Sequence, residues 1–82
     1  MMNKDAVDKN ERLRRMLIEA RLGAGLRQAD VAAKLGKPQS YVSKIERGEQ
    51  GITIIELIEM AEAVGFEPSS FLFEFINRAA QV

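Results

Sequence analysis

QADVAAKLGKPQSYVSKIERG, residues 28–48, is the stretch on which the fold turns. Val31, Ala32 and Leu35 stand at i, i+1 and i+4, which places them on one side of a helix running from about Gln28 to Leu35. Gly36 and Pro38 stop that helix, and Val42 and Ile45 resume the spacing beyond the break. The second helix therefore buries a narrow apolar side. Gln39, Ser40, Tyr41, Ser43, Lys44 and Arg47 are left on an outward face that is polar and almost free of acid.

Two short helices around a tight turn, with these residues, resemble the helix-turn-helix of the phage-repressor and Cro-like (XRE) family of bacterial DNA-binding regulators. The resemblance runs from about Leu13 to Phe75. It is carried by Gln28 opening the first helix, small Ala32 where the helices cross, Gly36 in the turn, the inward Val42 and Ile45, and Glu46-Arg47-Gly48 closing the second helix. Two positions depart from the family pattern: Lys37 where an apolar residue is usual, and Arg27 where Ser, Thr or Asn usually caps the helix. The resemblance implies an all-α, compact five-helix bundle of the lambda-repressor-like type. It implies that the second helix enters the major groove while the first crosses the backbone. It further implies an ion pair between Arg21 and Glu46 tying the first helix of the chain to the recognition helix, and a bracing role for Gln28.

The chemistry of the outward face agrees with that expectation. The amide of Gln39 matches N6 and N7 of adenine, and the hydroxyl of Ser40 donates or accepts as the base requires. Lys44, one turn beyond Ser40, reaches either guanine O6 and N7 or a phosphate. Tyr41 suits either a thymine methyl or a phosphate, Ser43 and Arg47 suit the backbone, and Gln28 at its helix N-terminus suits a phosphate oxygen.

The 82 residues leave room for one domain with a thin core, for which oligomerisation is a common remedy. Cysteine and histidine are both absent from the sequence, which removes disulfides, thiol nucleophiles and the usual zinc ligands. No metal, no cofactor and no enzymatic activity are expected. With apolar stretches interrupted by charge every few residues, neither a signal peptide nor a membrane span is expected, and the chain is placed in the cytoplasm. The formal net charge is zero, but its distribution is not even. Residues 1–48 carry eleven basic groups against six acidic ones, and residues 49–82 carry Arg78 against six glutamates. A basic half suits phosphate, and an acidic half suits the side facing away from a duplex.

Taken in order, residues 1–10 are expected to be a flexible lead-in, with Asp8 or Asn10 available as an N-cap. Leu13, Met16, Leu17 and Ala20 give a first helix from about Glu11 to Leu22, ended by Gly23-Ala24-Gly25. Arg12, Arg14 and Arg15 are expected on or beside its outer face, as a solvated face in preference to phosphate contacts. The helix-turn-helix domain spans residues 11–80. Thr53 and Glu56 form a capping box, with Ile52 and Leu57 spaced as a hydrophobic staple, and Ile54, Leu57, Ile58, Ala61 and Val64 are expected as the inner stripe of a helix closed by Gly65. Glu56, Glu59 and Glu62 form a solvated face. The last helix starts at Pro68 and runs towards Ala80, its stripe being Phe71, Leu72, Phe75 and Ile76. Phe73, and Ile55 or Met60, are apolar groups beyond what one face buries, so a C-terminal homodimer surface including Ile55 and Phe73 is expected.

The expected function is sequence-specific binding of a double-stranded DNA operator by a homodimer through a recognition helix at about residues 39–47, acting as a repressor or autoregulator. An antitoxin, a restriction-modification controller, and a bridging module that binds a protein partner without reading bases share this fold and stay open as alternatives.

Overall fold

The computed structural model describes residues 4–80 as five helices: α1 (Lys4–Gly23), α2 (Gln28–Leu35), α3 (Gln39–Glu46), α4 (Ile54–Val64) and α5 (Pro68–Ala80). All regular structure among the described residues is helical. α1 starts seven residues earlier than the spacing of its apolar groups predicts, so Lys4 to Asn10 are helical where a lead-in is expected, and neither Asp8 nor Asn10 stands at a cap; residues 1–3 of that lead-in lie outside the described residues. The physical reason is an absence of stop signals. No glycine or proline lies between Lys4 and Leu22, and a helix anchored by Leu13, Met16 and Leu17 extends backwards at one hydrogen bond per residue.

α2 ends on Gly36, whose φ of 68° is the left-handed conformation that an L side chain resists. The N–H of Lys37 then donates to the carbonyl of Ala32 at 2.9 Å, which closes the last turn and aims the chain into α3. Arg27 is the residue flanking α2, and its side chain caps nothing. Asp30 does that work instead: its carboxylate accepts the Arg27 N–H at 2.8 Å and the Arg27 guanidinium at 2.9 Å. α4 opens with the expected box, Thr53 Oγ1 accepting from the Glu56 N–H at 3.0 Å and Glu56 accepting from the Thr53 N–H at 2.8 Å.

The core gathers Met16 and Leu17 of α1, Val31 and Ala32 of α2, Val42 and Ile45 of α3, Leu57, Met60, Ala61 and Ala63 of α4, and Phe71 of α5. Ala32 is small where α2 and α3 cross, and Val31 and Val42 have essentially no exposure. Two stripes differ from expectation. α4 is apolar on most sides, so periodicity alone leaves its rotation open. The Thr53–Glu56 box and the packing on α2 turn Leu57, Met60 and Ala61 inward and leave Ile54 and Ile58 exposed, with Ile55. Met60, expected as a spare apolar group, is core. On α5 the inner face consists of Phe71, Leu72 and Phe75, with Phe66 stacked on Phe71 at 4.7 Å, and Ile76 points to solvent. The outcome is a rigid base under α3 and a set of uncovered apolar residues on α4 and α5.

Candidate nucleic-acid interface

α3 presents Gln39, Ser40 and Lys44 to solvent, as does Arg47 just past its end, while Tyr41 and Ser43 are half-buried. What holds this helix is Glu46, the buried polar residue at its C-terminal end, 8% exposed. A carboxylate taken out of water must be fully hydrogen-bonded and neutralised. Here Arg21 of α1 donates Nε to Oε2 at 2.7 Å and Nη2 to Oε1 at 2.9 Å, and Gln28 donates Nε2 to Oε1 at 2.9 Å. The third arm of Arg21 donates Nη1 to the carbonyl of Leu26 at 3.0 Å. A bidentate pair of this kind fixes direction more than it adds net stability, since desolvation offsets much of the Coulombic attraction.

The network continues outward. Gln28 Oε1 accepts from Gln39 Nε2 at 3.2 Å, so the first exposed side chain of α3 is linked through Gln28 and Glu46 to Arg21 on α1. Gln28 thus spends both its groups on bracing. A chain of polar contacts running from a buried ion pair to one exposed amide restricts that amide to few orientations before any ligand arrives.

Tyr41 has a different place from the one expected. Its hydroxyl donates to Glu56 Oε2 at 2.9 Å, and the Lys37 ammonium lies 5.2 Å over its ring. Burial, then the hydrogen bond to Glu56, then the nearby charges of Glu56 and Glu59, push the Tyr41 phenol up to about 12. Tyr41 therefore ties α3 to α4, and Lys37 stands in the turn with its ammonium over that ring. Arg47 pairs with Glu49, Nε to Oε2, at 2.8 Å on the surface. Two carboxylates, Glu49 and Glu56, thus reach the edges of a face that looked almost free of acid. Lys44 and Ser40 are exposed.

The arginines of α1 are not a uniform solvated face. Arg15 pairs with Glu11 one turn away at 3.0 Å, as a surface pair should. Arg12 lies over the ring of Phe75 at 5.1 Å. Arg14 donates Nη1 to the main-chain carbonyl of Glu46 at 2.7 Å. Its spacing of seven from Arg21, two helical turns, is the sequence signal that could have placed both on one face. Ile55 and Phe73 are 67% and 70% exposed. Among the described residues there is no cluster of side chains able to hold a metal ion, and no helix is long and apolar enough to cross a membrane.

Residues 17–71 match the helix-turn-helix family. A protein of Sinorhizobium fredii described as an uncharacterised HTH-type transcriptional regulator, y4dJ, is 46% identical over 41 residues, which is 50% of this chain and 53% of that protein. The chain thus spans about half the length of the curated relative it matches. An XRE-family like protein from Pseudomonas syringae pv. tomato superposes with a TM-score of 0.86 at 34% identity, over 89% of each chain. The restriction-modification controller protein C.AhdI from Aeromonas hydrophila superposes with a TM-score of 0.69 at 29% identity, over 76% of this chain and 94% of that one.

Proposed function

Because the chain belongs to the XRE family of helix-turn-helix transcription regulators, we propose that it binds a specific operator in double-stranded DNA as a homodimer and represses transcription, its own gene included. The observation that carries this reading is the chain from Arg21 through Glu46 and Gln28 to Gln39. It holds a bidentate adenine-reading group ready at the N-terminal end of an exposed helix. Ser40 and Lys44 lie on the same outward face, and in this reading Arg47 and Ser43 contact phosphate. Ile54, Ile55 and Ile58 on α4 with Phe73 and Ile76 on α5, all exposed, are the surface on which two copies would meet. The likeness to C.AhdI favours a second version of the same reading, in which the operator controls a restriction-modification operon.

The test is a titration of the purified chain against a fragment from upstream of its own gene, at low and near-physiological salt, with scrambled competitor. Cooperative, competitor-resistant binding is the expected result. Gln39→Ala should relax base choice, whereas Lys44→Ala should weaken all sequences and lower the salt slope by about one if its ammonium sits on phosphate. Binding lost equally to any competitor refutes the operator reading and leaves a protein-binding module of this fold.

A further inference from the structure

Arg14 and Gly48 form a contact that none of the base- or phosphate-facing residues explains. The guanidinium of Arg14, half-buried on α1, donates to the carbonyl of Glu46, one of the last main-chain acceptors of α3. Gly48 follows at a φ of 77°, and a Cβ built there would stand 2.9 Å from Arg14 Nε, closer than such atoms approach, and a tight 3.0 Å from its Cδ, so the arginine side chain would have to shift. The same turn carries the N–H of Gly48 to Ile45 O at 3.1 Å and the N–H of Glu49 to Lys44 O at 2.9 Å. Glu46 is therefore held twice from α1: Arg21 takes its carboxylate and Arg14 its main chain.

We propose that Arg14 is a positioning residue for base recognition, fixing the C-terminal end of α3 while Arg21 and Gln28 fix its side-chain network, and that Gly48 is glycine partly to leave room for it. The cation also sits where the helix dipole of α3 favours positive charge. Held at both ends of Glu46, α3 keeps one rotation and one tilt, so that Gln39, Ser40 and Lys44 meet base edges in register. This rests on the operator reading for its consequence, but not for the contact itself.

The experiment has two readouts on the full chain carrying Arg14→Gln. Amide exchange of Arg47, Gly48 and Glu49 is expected to quicken about ten-fold, the effect of losing one charge-assisted hydrogen bond, with α2 and α4 unchanged. Against a duplex selected by the wild-type chain from a random pool, affinity is expected to fall about ten-fold, with less than about two-fold lost on a scrambled duplex and the salt slope unchanged. Gly48→Ala should quicken the same amides, and by less in the Arg14→Gln background, because the displaced guanidinium is already gone. Unchanged exchange overturns the proposal, as does an equal loss on both duplexes with a salt slope lowered by about one, which would make Arg14 a phosphate contact. A wild-type chain that selects no sequence refutes the operator reading instead, and the exchange data still decide whether Arg14 holds α3.

Discussion

Glu46→Gln should cost about 3 kcal/mol, near the low end of what breaking a buried ion pair costs. The carboxylate accepts three hydrogen bonds, two from Arg21 and one from Gln28. An amide of the same shape keeps its oxygen for one side and turns an N–H₂ group towards a donor on the other. At least one charge-assisted bond is lost, and the Arg21 side chain, 12% exposed, keeps a charge without its counter-ion. The loss stops short of the upper end because Arg21 retains Leu26 O and some access to water. For a domain of this size the melting temperature should fall by about 12–24 °C. Thermal and urea unfolding at fixed protein concentration measure it, since self-association would otherwise shift the midpoint. A loss below about 1 kcal/mol would show that the pair behaves as a surface pair, and would refute the claim that α3 is held through it. Arg21→Met with Glu46→Leu separates the two roles: stability should return to near the wild-type value, while preference among DNA sequences stays lost because Gln28 no longer has an anchor.

Tyr41 is the single tyrosine, and its phenol titrates at about 12 in place of 10, so the ultraviolet signal of tyrosinate should rise two pH units late. Because the folded value is the raised one, this contribution to stability is complete below pH 10 and lost as pH climbs towards 12; a midpoint near 10 would remove the Tyr41–Glu56 tie. Hydrogen bonding from Arg27 draws Asp30 down to about 2 from 3.8, so its contribution is present above about pH 4 and disappears as pH falls towards 2. Melts across that window should show a shallower acid limb for Asp30→Asn. Thr53→Ala should cost about 1 kcal/mol in urea unfolding, the usual worth of an N-cap. Ile55→Glu with Phe73→Glu should leave the fold intact and reduce self-association in sedimentation, whereas an unchanged sedimentation profile refutes the proposed dimer surface.

The elements legible in the sequence were those with local punctuation. Gly36 and Pro38 bound α2 and α3, Thr53 and Glu56 open α4, Gly65 closes it, and Pro68 opens α5; each acts through its own backbone, so the residue type suffices. α1 carries no such mark at its start, and the spacing of its apolar groups alone sets that start too late. The rotation of α4 was not legible either, because Ile54, Ile55, Leu57, Ile58, Met60 and Ala61 offer more than one apolar stripe and only packing against α2 chooses. In the site, the outward residues of α3 followed from periodicity. Arg14 and Tyr41 did not, since a carbonyl of Glu46 and a carboxylate of Glu56 are partners brought together by tertiary structure over 32 and 15 residues.

Arg47 offers a consequence for how the chain would respond to salt. Its guanidinium already has an anion, the carboxylate of Glu49, attached two residues along the same chain. A phosphate that takes this arginine displaces that tethered carboxylate, so the exchange at Arg47 frees no dissolved ion from the protein and leaves Glu49 to find solvent or a cation near a negative strand. The repulsion that follows raises the threshold for loose contact with any duplex. Under the proposed operator reading, base contacts at the other end of α3 would overcome that threshold and an arbitrary sequence would not, so an acid beside Arg47 would act as a filter against indiscriminate binding.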